Sequence, residues 1–203
     1  MYNKLARAAV TSVALVLAAV PASAQQGMSF SDSYTFLKAV KERDGAKVSA
    51  LVSAPGSVVI NSRDRTSGEG GLHYMVRARD LVWLAFLLGK GARPDIQSNR
   101  GDTPLTLAAQ IGWVEGAEQL LARRASVDLA NGRGETPLIL ATQRRDVAMV
   151  RLLLARRADP KRTDNVAGMS ALDYARRDPR ASAVLKLLEA KVAPARPAAG
   201  PTR

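Results

Sequence analysis

The sequence predicts an all-α solenoid of about five stacked helix-turn-helix units, and three observations predict it. A ten-residue segment, Arg100-Gly101-Asp102-Thr103-Pro104-Leu105-Thr106-Leu107-Ala108-Ala109, returns 33 residues later as Arg133-Gly134-Glu135-Thr136-Pro137-Leu138-Ile139-Leu140-Ala141-Thr142. Both copies run into the same ending, Leu-Leu-Ala-Arg-Arg-Ala, at 120–125 and again at 153–158. Between start and ending the apolar residues recur at helical spacing. Self-similarity at a fixed period of this length marks a repeat architecture. Two short helices per period cannot bury their apolar faces alone, but stacked copies can.

Each unit follows from its residues. The first keeps only a helical pattern: Tyr34, Phe36, Leu37 and Val40, then Val48, Leu51 and Val52. The second starts 33 residues before Gly101, at Gly68, continues through Leu72 and His73, and ends at 86–92 as Phe-Leu-Leu-Gly-Lys-Gly-Ala. In the third, the Thr103 hydroxyl can cap the free N–H groups of a helix start. Pro104 suits the first helical position, where its missing N–H costs nothing. Leu105, Leu107 and Ala108 form one apolar face, Gly112 breaks the chain, and Val114, Ala117, Leu120 and Leu121 build the second helix. Thr136, Pro137, Leu138, Leu140 and Ala141, then Val147, Val150, Leu153 and Leu154, repeat the scheme in the fourth. The fifth begins at Gly168 and closes with Leu185, Leu187, Leu188 and Val192, while Lys186, Glu189 and Lys191 keep its outer face wet.

The intact Gly-x-Thr-Pro-Leu motifs at Gly101 and Gly134, with degraded copies at Gly68 and Gly168, resemble the ankyrin-repeat family. The resemblance covers about residues 30–191. It implies helix pairs joined by projecting hairpin loops, and protein binding through the concave surface made by hairpin tips and exposed inner-helix ends. Carried onto this sequence, that surface includes Arg77, Arg100, Ile111, Trp113, Arg133, Arg144, Arg145 and Arg177. Trp113 stands in the turn between helices, where two readings apply: it packs over the turn, or it stands part-exposed beside Ile111 as an interface hot spot. Trp83, inside an apolar run, reads as core.

Three departures from the family carry consequences. The histidine after Thr-Pro-Leu, which ties neighbouring loops together, survives only as His73; Thr106, Ile139 and Asp173 replace it. The glycine ending the outer helix is Gly91 in the second unit but Arg124 and Arg157 in the next two, at about 1 kcal/mol each if the left-handed conformation is kept. Gly70-Gly71 stands where Thr-Pro should cap a helix, so the second unit is expected to be the loosest full repeat.

Composition limits the function. The chain has no cysteine and a single histidine, which removes thiol chemistry, zinc–thiolate sites and most acid–base constellations. No catalytic, cofactor-binding or metal-binding residues are assigned, and the chain is not expected to be an enzyme. Its formal net charge is +12, with 22 arginines against 8 lysines. Such a balance suits nucleic acid, anionic lipid or an acidic protein. Arginines are expected on both sides of the solenoid, since Arg123, Arg124, Arg156 and Arg157 end the outer helices; a nucleic-acid footprint should be one-sided.

Residues 1–24 read as a secretory signal: Lys4 and Arg7, an apolar run at 8–20, and Ala22-Ser23-Ala24 before Gln25-Gln26. About 13 apolar residues fall short of the roughly 20 that span a bilayer. The organisation expected is a signal peptide at 1–24 cleaved after Ala24, a repeat domain at 28–192, and a disordered Pro/Ala-rich tail at 193–203. The expected function is a monomeric, non-catalytic scaffold in the periplasm, needing no cofactor and binding an acidic periplasmic protein, with no nucleic acid and no membrane span. The alternative is an envelope-associated structural protein that binds anionic lipid or cell-wall polymer through its arginines.

Overall fold

A computed structural model describes residues 30–192; the expected signal peptide and Pro/Ala-rich tail lie outside the described residues. Ten α-helices form five pairs: α1 (Phe30–Glu42) with α2 (Gly45–Ser53), α3 (Gly71–Ala78) with α4 (Leu81–Gly89), and α5 (Pro104–Ile111) with α6 (Val114–Ala122). The last two pairs are α7 (Pro137–Gln143) with α8 (Val147–Ala155), and α9 (Ala171–Arg177) with α10 (Ser182–Val192). The inner helices α1, α3, α5, α7 and α9 stack in sequence, and the outer helices α4, α6, α8 and α10 stack behind them. Leu105 and Leu138 lie on adjacent inner helices with no exposed surface, as the 33-residue period requires. One continuous core runs the length of the stack, from Phe36 through Met75, Leu120 and Leu153 to Leu188.

Local chemistry sets the helix starts. The N–H groups of Thr106 and Ile139 donate to Thr103 Oγ1 (3.0 Å) and Thr136 Oγ1 (3.2 Å), ahead of Pro104 and Pro137. The outer helices use aspartate: Asp44, Asp80 and Asp146 accept from Lys47, Trp83 and Met149 N–H at 2.9, 3.0 and 3.0 Å. Helix α6 has Trp113 at that position and no side-chain cap.

Hairpin loops join the units, and each leans on the next. The N–H groups of Asn99, Gly132 and Asn165 donate to the carbonyls of Ser67, Arg100 and Arg133, all at 2.9 Å. Gly101 and Gly134 adopt φ of +76°, and a Cβ on either would collide with the backbone N–H of Gly132 or Asn165 in the following hairpin. Gly168 also has positive φ, but nothing lies within 4 Å of its missing Cβ. It belongs to the last hairpin, so the same residue type serves only the turn there.

The second unit departs from expectation in an instructive way. Gly70 is the N-cap of α3 and only Gly71 lies inside the helix. A Cβ on Gly71 would press on Leu87 (3.2 Å) and Val40 (3.5 Å), so close packing, rather than the turn alone, calls for glycine. The missing Thr hydroxyl is not replaced. Instead His73 bonds back to the start of the helix: the Gly70 N–H donates to His73 Nδ1 at 3.1 Å. Trp83, read as core, is half-buried and packs edge-to-face on Phe86 at 5.0 Å. Tyr34, read with the apolar pattern of the first helix, is 70% exposed.

Candidate partner-binding face

The hairpins and inner helices enclose a concave cavity of about 800 Å³, whose lining includes Arg63, Asn99, Arg100, Gln110, Asn131 and Arg133. Of the arginines assigned to partner binding from sequence, Arg100 and Arg133 line it; Arg77, Arg144, Arg145 and Arg177 lie elsewhere. Arg63 and Gln110 join them. The hairpin ladder fixes this grouping, because each inter-hairpin hydrogen bond sets one tip beside the next.

Of the cavity's arginines, Arg100 and Arg133 are ion-paired, while Arg63 donates to the Gly68 carbonyl and to Asn99 Oδ1. Arg100 Nε lies 3.2 Å from Asp102 Oδ2, and Arg133 Nη2 lies 3.7 Å from Glu135 Oε1. One unit earlier, Arg77 Nη2 meets Glu69 Oε1 at 2.5 Å. The exposures are unequal: the Arg100 and Arg133 side chains are 72% and 66% exposed, their carboxylate partners 12% and 8%. A molecule entering the cavity meets guanidinium and amide donors first, with the carboxylates beneath. The long-range field of such pairs is weak, while their hydrogen-bonding capacity at contact is high. The signal for this pairing was in the sequence, because Arg-x-Asp and Arg-x-Glu occur at the same position of successive hairpins.

Trp113 corrects the hot-spot reading. It is only 5% exposed, and its indole occupies the space that a side chain at Gly116 would need. A glycine one turn on in α6 lets the ring fold over the helix start, so Trp113 belongs to the core. Ile111 is half-buried rather than exposed, and its carbonyl accepts from Arg79 Nη2 at 2.6 Å. Arg144 lies along Gly112, where the absence of a Cβ makes room for its guanidinium. Arg177 Nη1 sits 3.1 Å from Met169 Sδ.

A second line of arginines follows the inter-helix turns and outer-helix ends. The non-glycine residues with positive φ among those described are Arg43, Arg79, Arg124, Arg145 and Arg157. A left-handed conformation costs a residue with a Cβ roughly 1–2 kcal/mol. Three of the five reach across to the next unit: Arg43 Nε to Asp80 Oδ2 at 2.7 Å, Arg145 Nη1 to Asp178 Oδ2 at 2.8 Å, and Arg79 to the Ile111 carbonyl. The Arg145 guanidinium and the Arg180 N–H hold Asp178 below the usual carboxylate range. In the third unit Trp113 stands where this aspartate would be, so Arg79 turns to a carbonyl. Arg124 and Arg157 keep the left-handed conformation expected of them as glycine replacements.

His73 is structural. It is fully buried, and its Nε2 donates to the Asp102 carbonyl of the next hairpin at 2.8 Å while Nδ1 accepts from Gly70. Burial pushes its pKa below the ordinary histidine value. Thr106 and Asp173, at the equivalent positions, keep half of this role: Thr106 Oγ1 accepts from Thr103 N–H (2.7 Å) and Asp173 Oδ2 from Ser170 N–H (3.0 Å). Thr106 does not reach the next unit as histidine does, Asp173 stands in the last described unit, and Ile139 can do neither. No group of three or more His, Cys, Asp or Glu able to hold a metal occurs among the described residues.

These features define a helical repeat solenoid with a polar concave cavity, a class whose surfaces serve recognition. The family description "Ankyrin repeats (3 copies)" matches residues 72–164 and 117–195. The chain belongs to the ankyrin-repeat family, whose members generally mediate protein–protein interaction and are typically non-enzymatic scaffolds. Among the described residues no helix is long and apolar enough to cross a membrane.

Proposed function

We propose that the protein is a periplasmic scaffold that holds an acidic protein partner in the concave cavity between its first, second and third hairpins. The observation that carries this reading is the unequal exposure of the ion pairs: all four residues line the cavity, with Arg100 and Arg133 largely exposed and Asp102 and Glu135 largely buried. Carboxylates or backbone carbonyls of a partner would meet guanidinium forks suited to bidentate contact. Asn99, Asn131 and Gln110 add amide donors and acceptors around them. The periplasmic setting rests on residues 1–24, whose basic head, short apolar run and Ala-Ser-Ala ending have the form of a cleaved export signal.

Affinity capture tests both parts. The protein, tagged at its C-terminus, is recovered from periplasmic and cytoplasmic fractions at moderate salt. The expected result is recovery from the periplasm with one acidic protein, whose yield falls at least tenfold for the Arg100→Ala, Arg133→Ala double variant. That variant leaves Asp102 and Glu135 facing the partner unpaired. Recovery from the cytoplasm, or equal capture by variant and parent, contradicts the proposal.

A further inference from the structure

Arg100 and Arg133 of the concave cavity are matched by carboxylates. A further set of exposed arginines lies on the edge where the outer helices end. Arg123 and Arg156 are the C-cap residues of α6 and α8, and Arg124 and Arg157 follow them in left-handed turns; all four are exposed. Cations are favoured at helix C-termini, which accounts for Arg123 and Arg156 on structural grounds. It does not account for Arg124 and Arg157. Gly91 forms the same turn in the second unit with a φ of +92° and no side chain at all. The three other left-handed arginines bond to a neighbouring unit, whereas the side chains of Arg124 and Arg157 make no hydrogen bond or ion pair with any described residue.

Among the described residues no carboxylate forms an ion pair with these four arginines. Asp95 accepts from the Ser126 N–H and hydroxyl, Asp128 from the Asp159 N–H, and Asp159 from the Lys161 N–H, so each is engaged by the turn that follows an outer helix. The two arginine pairs end the stacked outer helices of the third and fourth units, about 8–10 Å apart. Such a row can meet one flat anionic plane with all its members at once. It offers no cavity, no exposed aromatic anchor of the kind that dominates protein interfaces, and no stacking platform for bases.

We propose that the outer edge formed by Arg123, Arg124, Arg156 and Arg157 docks the solenoid onto the phosphate-bearing surface of an anionic bilayer. None of these four arginines lines the concave cavity, so the inference stands independently of the partner assigned to that cavity. It narrows the envelope-associated reading of the sequence to one edge and one surface chemistry.

The test uses residues 25–203, which contain every described helix, and the Arg124→Gly, Arg157→Gly double variant. Glycine is the residue this backbone accepts most readily, so the substitution removes charge without unfolding the turn. Co-sedimentation is measured with phosphatidylcholine vesicles, with and without phosphatidylglycerol, at low and high salt. The expected result is binding only to the vesicles containing phosphatidylglycerol, lost at high salt. Partitioning of the variant should fall roughly thirtyfold, at about fivefold for each arginine near the surface. Its unfolding midpoint should be unchanged or higher. Equal binding to both vesicle types, equal binding by variant and parent, or a lowered midpoint overturns the proposal. Absent vesicle binding, with or without retention on an immobilised acidic protein, overturns it as well. Affinity capture through the concave cavity should be untouched by the variant, which separates failure of this proposal from failure of the scaffold reading.

Discussion

His73 bonds to its own helix start through Nδ1 and to the next hairpin through Nε2, so alanine in its place leaves the buried Gly70 N–H without a partner, while the Asp102 carbonyl still accepts from the Ser98 N–H at 2.9 Å. At 1–3 kcal/mol for an unsatisfied buried group, His73→Ala should cost about 2 kcal/mol in denaturant unfolding. The pH dependence has a definite sign. Burial lowers the folded-state pKa below 6.5, so below that pH the unfolded chain binds the proton first and stability falls. The contribution is complete above pH 6.5 and declines as pH drops towards the folded value. Unfolding free energies at pH 7.5 and 5.5 should therefore differ more for the parent than for His73→Ala. Thr142 gives a prediction of opposite direction. Its hydroxyl is buried with no hydrogen-bond partner, and the equivalent residue one unit earlier is Ala109. Thr142→Ala should raise stability by about 1 kcal/mol, measured in the same way.

At the scale of elements, the glycines separate two roles that the sequence shows as one. Gly101 and Gly168 occupy the same place in their hairpins, and both have positive φ. Only Gly101 faces a following hairpin. Gly101→Ala should cost about 3 kcal/mol, from the left-handed conformation plus the collision with Gly132; Gly168→Ala should cost about 1. Thermal unfolding of the two variants checks the difference, and equal shifts would contradict the hairpin ladder. The starts of α5 and α7 were legible in the sequence, because capping threonines and first-turn prolines act over three or four residues. The place of Trp113 was not. It depends on Gly116 leaving a space one turn on, a packing relation that spacing cannot show. The packing around Gly71 was hidden for the same reason: Val40 and Leu87 close on it from other helices.

For the whole molecule, the 33-residue period made the stack of five helix pairs legible from end to end, because each position meets its own equivalent in the next unit. The charge distribution was less so. Arginine columns could be placed on both sides, yet which of them are matched depends on carboxylates brought close by the hairpins, such as Glu69 beside Arg77. Recognition is thereby assigned to the concave cavity, which Gln110, Arg100 and Arg133 line. Photo-crosslinking in living cells tests that claim most directly. A photoreactive residue is placed at Gln110 and, as the comparison, at the exposed Ala122 on α6. The account predicts a discrete protein adduct from Gln110 and none of the same mass from Ala122. The same adduct from both positions, or from Ala122 alone, would contradict it.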